Sequence, residues 1–229
     1  MSVDRRRLLH AYSGSGRRAR IHTSVRWASA PIERVVALVP PDGEILDFGC
    51  GHGLFSLAAA IDAPHRTFHA VDIDRAKLLI ARAAAARLGV SDRIHFEVVD
   101  AKWRPEPARY DAAVTNDVLY LMGAQTAEQT IRSLLASVRP QGVVVIKEIG
   151  ETPRIKHLVN EVQERISTRV LGITEGATVD VLDEAVILRA LASPDRDIER
   201  VAMDAGYLHA HVAFVSRPRP RATRRRYDA

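Results

Sequence analysis

The stretch Ile45-Leu46-Asp47-Phe48-Gly49-Cys50-Gly51-His52-Gly53-Leu54-Phe55 decides the fold. A short apolar run breaks into glycines at every second position and then restarts as a second apolar run. Glycines alternate in this way where the backbone turns tightly and brings its N–H groups against a ligand that a Cβ would keep away. Strand-to-helix turns of this kind hold nucleotide-like ligands in doubly wound sheets. The spacing narrows the choice. Counted from Gly49, the pattern G-x-G-x-x-G of a dinucleotide site would need its last glycine where Leu54 stands, and the third glycine is Gly53 instead. Asp47, two residues ahead of the first glycine, repels a pyrophosphate and attracts a cationic ligand.

The segment resembles motif I (D/E-x-G-x-G-x-G) of the class I S-adenosylmethionine-dependent methyltransferases, matching at Asp47, Gly49, Gly51 and Gly53. Further on, Phe68 to Val71 reads as the end of a second strand, followed by Asp72-Ile73-Asp74. A carboxylate at that tip can accept hydrogen bonds from both hydroxyls of a ribose. The resemblance gives this role to Asp72, with Ile73 beside it. Asp74 is expected to cap a helix from Arg75 to Leu88, ended by Gly89. A third strand, Ile94 to Val99, ends in Asp100-Ala101, and the resemblance places Asp100 at the adenine amino group. Three acids at the ends of successive strands fit the edge where open α/β sheets bind ligands.

The remaining pattern continues this alternation. Tyr110 to Thr115 reads as a central fourth strand, with Asn116-Asp117-Val118-Leu119-Tyr120 leaving it and Asn116 on the cofactor side. Thr126 to Gln129 suggests a capping box opening a helix to Val138. Arg139-Pro140-Gln141-Gly142 turns into the strand Val143–Ile146; the family usually has Pro-Gly-Gly there, so Gln141 is a departure in the turn. The last strands are expected near 198–203 and 212–215. Such alternation predicts an α/β fold: a doubly wound, mostly parallel seven-stranded sheet with helices on both faces, Rossmann-like. The resemblance is close over 44–148 and loose beyond.

At 229 residues with 47% hydrophobic content the chain suits one α/β domain. The expected organisation is a basic arm over 1–32, the methyltransferase domain over 33–216, and an Arg/Pro-rich tail over 217–229. A helical insertion over 151–195 is a candidate lid; within it a second helix is expected from Val179 to Leu191. The lone Cys50 cannot form an internal disulfide and no basic-then-apolar leader precedes the domain, which predicts a cytoplasmic protein, peripheral to a membrane if its basic ends attach it. The net charge of +5 is unevenly spread. Residues 1–30 carry seven arginines and one acid, 217–229 six arginines and one acid, so the body between is acidic at −6. The ends are either solvated extensions or contacts for an anionic surface, a lipid leaflet or RNA. Arg20 to Trp27 reads neither as a clean helix nor as low complexity. The arm is expected to fold over the cofactor and line the acceptor pocket, with simple packing as the other reading.

The acceptor is constrained mostly by exclusion. Exocyclic amines of nucleic-acid bases are usually methylated by relatives with N/D-P-P-Y after strand 4, and this chain has Asn116-Asp117-Val118-Leu119. Cytosine C5 chemistry needs a cysteine beyond that strand, and radical chemistry a cysteine cluster. The expected reaction is in-line methyl transfer to oxygen or nitrogen of a small-molecule or lipid-like acceptor, needing a base only where the acceptor arrives protonated. An RNA acceptor held by the basic ends and a non-catalytic cofactor-binding module are the alternatives. Candidate catalytic residues are Asp117, Tyr120, His209 and His211, with Glu148 also at the ligand edge. Alternate positions on a strand put His209 and His211 on one face; two histidines without a third ligand give no metal expectation. His52 is either a loop filler or a catalytic group.

Overall fold

The structure, a computed structural model, describes residues 3–150, 182–207 and 210–220. Seven strands form one sheet: β1 (Asp42–Phe48), β2 (His65–Asp72), β3 (Ile94–Val98), β4 (Tyr110–Asn116), β5 (Val138–Ile149), β6 (Arg196–Ala202) and β7 (His211–Pro218). Their order is β3-β2-β1-β4-β5-β7-β6, with β7 running antiparallel to both of its neighbours and the first five strands parallel. The order reverses between β1 and β4, so the switch point lies where Phe48 and Thr115 stand side by side.

Both faces of the sheet are covered, which is why its inner strands read as continuous apolar runs. Ile45, Phe68, Ala70, Ala112 and Val114 face a core shared with α3 (Ile32–Val36), α4 (Leu54–Asp62) and α5 (Arg75–Leu88). Leu46, Val71, Ala113, Val144 and Ile146 face the other, under α6 (Ala124–Ser137) and α7 (Glu184–Leu191). As the sequence predicts, Asp74 caps α5 by accepting from the N–H groups of Ala76 and Lys77, and Gly89 ends it in the left-handed region. Doubly wound, mostly parallel and seven-stranded, the architecture agrees with the expected Rossmann-like fold.

Several local expectations are corrected. The basic arm is helical: α1 (Arg5–His10) precedes α2 (Arg17–Ser29), which spans the stretch expected to be irregular. Its buried positions Ala19, Thr23 and Trp27 recur every four residues, a narrow stripe that surrounding arginines and the exposed Ile21 and Val25 hide from periodicity. The start of α6 lies at Ala124 behind Gly123, so Thr126 is inside the helix and caps nothing. Strand β7 continues through Pro218, and Arg217 and Arg219 pair with Glu199 and Asp197 on β6. The first residues of the expected tail thus belong to the sheet, while 221–229 lie outside the described residues. So do 151–181 of the expected lid, and His209. The later expected helix is observed from Glu184, capped by Asp183. No helix among the described residues is long and apolar enough to cross a membrane.

Candidate active site

The glycine turn shows how the cofactor end is built. Gly49, Gly51 and Gly53 all have positive φ. A Cβ on Gly49 would stand 2.6 Å from Val118 Cγ2, so this glycine lets the loop after β4 approach. At Gly51 the nearest atoms to a Cβ are Lys77 Cδ at 3.9 Å and Asp72 Oδ2 at 4.0 Å, leaving an open face. Asp72, at the tip of β2, accepts from Gly51 N at 2.7 Å and from Asp74 N at 2.8 Å. Its carboxylate therefore orients the turn while keeping lone pairs for a ribose. Beside it Ile73 exposes an apolar side chain, and Val99 N donates to the Asp72 carbonyl, bringing the end of β3 alongside. There Asp100 is exposed, its Oδ1 accepting from Lys102 N at 2.8 Å, and Ala101 is exposed between them.

Asp47, the carboxylate expected to attract a cationic ligand, does not face solvent. It is buried on β1 and accepts from the Ser56 hydroxyl of α4; burial raises its carboxyl to about 7. It braces the turn from behind. The open face at Gly51, the free lone pairs of Asp72 and the neighbouring exposed Ile73 together fit an adenosine-bearing ligand with its ribose on Asp72.

The arm closes over this end. Tyr12, fully buried, donates its hydroxyl to the His52 carbonyl at 2.8 Å, and the His22 ring packs on that of His52 with centroids 4.9 Å apart. Burial and then the neighbouring His22 depress His52 to about 4, so it is a neutral, covered ring. Arg87 on α5 donates to the Ala11 carbonyl at 3.0 Å, and Arg7 to that of Leu88 at 3.0 Å.

The ends of β4, β5 and β7 carry a buried charge cluster. Asp117 follows β4 at φ +53 and is paired on Oδ2 with Lys147 at 2.5 Å and with Arg26 of α2. Lys147 and Glu148 are both buried at the end of β5. Glu148 Oε1 accepts from Leu119 N at 3.0 Å and Val118 N at 3.3 Å. Burial and then the Asp117 charge raise Glu148 to about 8, whereas Arg26 and Lys147 overcome burial and hold Asp117 below the usual carboxylate range. His211 is buried at the start of β7; its Nε2 lies 2.8 Å from the Ser29 carbonyl, and burial, then Lys147, depress it to about 4. A neutral ring in that contact donates from Nε2 and leaves Nδ1 as an acceptor. Tyr120, in the following 3-10 turn, has its hydroxyl pushed up to about 12 by burial and then by Asp117.

Five buried side-chain atoms find no hydrogen-bond partner among the described residues: Thr115 Oγ1, Asn116 Nδ2, Asp117 Oδ1, Glu148 Oε2 and His211 Nδ1. All belong to this one end of the sheet. Sequence reasoning picked out Asp117, Tyr120, Glu148, His211 and Asn116, which the structure gathers here. It missed Lys147, whose signal was available: a lysine closing the run Val143–Ile146 of a strand buried on both faces is anomalous. Arg26 left no signal, being one arginine among seven in the arm.

A family model described as a methyltransferase domain matches residues 41–191. The ribosomal protein L11 methyltransferase of Haemophilus influenzae (strain PittEE) is 32% identical over 111 residues, 48% of this chain and 35% of that protein. The tRNA1(Val) (adenine(37)-N6)-methyltransferase of Vibrio cholerae (strain M66-2) is 33% identical over 90 residues, 39% of this chain and 37% of that protein. The chain thus spans about a third of the length of these curated relatives. Among solved structures, a geranyl diphosphate methyltransferase in complex with S-adenosylmethionine superposes with TM-score 0.66 at 16% identity, covering 95% of this chain and 96% of that one. The [4+2]-cyclase SpnF gives TM-score 0.60 at 19% identity, covering 82% and 80%. At these identities the structural likeness is one of fold. Motif, fold and family model agree: the chain belongs to the class I S-adenosylmethionine-dependent methyltransferases.

Proposed function

We propose that this chain methylates an oxygen or nitrogen atom of a small polar or lipid-like molecule whose nucleophile arrives protonated. The observation that carries this reading is the set of unpartnered buried atoms. Asp117 Oδ1 and His211 Nδ1 can only accept, Asn116 Nδ2 can only donate, and Glu148 Oε2 does either according to its proton. Buried polar atoms of this kind are costly unless a ligand supplies partners, and a hydroxyl or amine does so. Bound at the glycine turn, the cofactor supplies an electrophilic methyl group on sulfonium. The chain's own work is to hold the adenosine part on Asp72 and Asp100, to align the acceptor between Asn116, Asp117 and His211, and to receive its proton on Glu148 Oε2 in the ionised form, which Glu148 reaches as pH rises through about 8. Lys147 and Arg26 keep Asp117 ionised as that proton arrives. Tyr120 walls the same side.

The test is transfer of a labelled methyl group from S-adenosylmethionine into a cell extract, separated into organic, small-molecule, protein and nucleic-acid fractions. Label in the organic or small-molecule fraction is expected, with Glu148→Gln keeping cofactor affinity and losing turnover. Label in RNA would overturn the acceptor class and promote the exposed arginines of α1 and α2 to phosphate contacts. Cofactor binding with no label in any fraction would favour a binding module.

A further inference from the structure

Away from both ends of the site, the middle of the sheet carries a second cluster. Register places His69 of β2 beside His95 of the edge strand β3, and Glu97 lies two residues on, hence on the same face. The imidazole centroids are 5.3 Å apart. One ligand atom from each of His69, His95 and Glu97 lies within 4.8 Å of the other two. His69 is buried, Glu97 is half-buried and His95 is exposed, so the group has a protein side and a solvent side. Behind it, His69 Nδ1 meets the hydroxyl of the fully buried Tyr110 at 2.6 Å; in front, Nε2 meets Glu97 Oε2 at 2.6 Å. The nearby Arg109 is already paired with Glu44 and Glu106, which offsets its charge.

A hydrogen-bonded relay from Glu97 through His69 to Tyr110 would account for three of these four residues. It leaves His95 without a reason to stand in register beside the carboxylate. Two imidazoles and one carboxylate with an open solvent side are the donor set of a borderline divalent ion that completes its shell with water. A phenol accepting from Nδ1–H fixes the tautomer that offers Nε2 to such an ion. We propose that His69, His95 and Glu97 bind a divalent transition-metal ion of the zinc type, oriented by Tyr110 and clipping the edge strand to β2. In the free protein the neutral ring donates from Nε2 to Glu97 Oε2 and accepts the Tyr110 hydroxyl at Nδ1; when the ion binds Nε2, the ring proton moves to Nδ1 and the phenol turns to accept it. The site is independent of the methyl-transfer reading.

The experiment uses full-length, tag-free protein stripped with a chelator, titrated with Zn2+ and, as a hard-ion control, Mg2+. Zn2+ at about 100 times its Kd is expected to raise Tm by about 5–10 °C, and Mg2+ to leave it unchanged. His95→Ala and Glu97→Gln should each weaken Zn2+ binding at least ~10-fold. Both side chains reach solvent, so a metal-free Tm close to that of the unaltered protein shows that the variants fold. His22→Ala, at the imidazole pair over the glycine turn, should bind Zn2+ unchanged. No Zn2+ shift in the unaltered protein, full affinity in both cluster variants, or loss in His22→Ala would each overturn the proposal.

Discussion

At the tips of β1, β2 and β3, polar groups satisfy one another over short stretches of chain. Asp72 holds the N–H groups of Gly51 and Asp74, Asp100 that of Lys102, and Asp47 the hydroxyl of Ser56. At the tips of β4, β5 and β7 the material is different: charged side chains, buried, assembled from segments far apart. Arg26 reaches Asp117 from 91 positions away, and His211 reaches Ser29 across 182. The first end is satisfied before a ligand arrives, and the second leaves five atoms without partners among the described residues. A cofactor shared by many relatives can be met by a fixed, mostly backbone cradle. An acceptor peculiar to one chain needs side chains that can differ from one relative to the next.

The contrast predicts that disturbing the second end costs more. Asp117→Asn keeps the size and tolerates the positive φ, yet leaves Lys147 buried and Arg26 half-buried without a countercharge. Urea unfolding should show a loss of about 3–5 kcal/mol. Adding Lys147→Met should recover part of it, because the double variant no longer buries an unpaired ammonium. Strict additivity of the two losses would mean that the pair is not coupled and that the cluster is read wrongly.

Next in size is Asp72→Ala. Removing the carboxylate frees Gly51 N and Asp74 N as well as the expected ribose contacts, so affinity for S-adenosylhomocysteine by calorimetry should fall by about 2–4 kcal/mol. Unchanged affinity would separate Asp72 from the cofactor and leave it as a brace for the turn.

These two variants also mark what the sequence made legible. The glycine turn, Asp72 and the cap at Asp74 interact within 21 positions or fewer, and their spacing is itself the pattern. The alternation of strands and helices was readable because both faces of the sheet are buried. Lys147 was legible only as an anomaly inside an apolar strand. Arg26 was not legible at all, because its role depends on where α2 packs and on nothing in its immediate neighbourhood. The burial of His211 likewise follows from α2 lying over the start of β7, a contact that no local window contains.

The glycines sharpen the comparison within the cofactor end itself. Gly49→Ala pushes a Cβ against Val118 and strains a left-handed residue, so unfolding free energy should drop by about 2–4 kcal/mol. Gly51→Ala makes only ordinary contacts, with Lys77 Cδ at 3.9 Å and Asp72 Oδ2 at 4.0 Å, and loses stability mainly through its φ, about 1–2 kcal/mol. Its Cβ instead takes the face turned to the ligand, and cofactor affinity should fall more than ~10-fold while the fold survives. If both variants lose stability equally and bind alike, Gly51 does not face the cofactor.

The smallest effect is a pH dependence that the acceptor end dominates between pH 7 and 8. Glu148 and Asp47 are raised in the fold, to about 8 and about 7, so each adds stability at low pH that is lost as pH climbs through those values. His211 and His52 are depressed to about 4, so each adds stability above the ordinary imidazole range that is lost as pH falls toward 4. Between about pH 4.5 and 6.5 the two kinds oppose each other. Between 7 and 8 the unfolded histidines shed their last protons and Asp47, half protonated at 7, sheds the rest of its own, small contributions of opposite sign that largely cancel. Glu148, facing Asp117, Lys147, Arg26 and His211, then still holds a proton that the unfolded chain has released. Unfolding free energy from urea titrations should therefore fall by about 1 kcal/mol from pH 7 to pH 8, and Glu148→Gln, which keeps the shape and cannot titrate, should flatten that slope. A slope that survives the substitution would move the titrating group out of the acceptor cluster. With it would go the role of Glu148 as the group that takes the acceptor's proton.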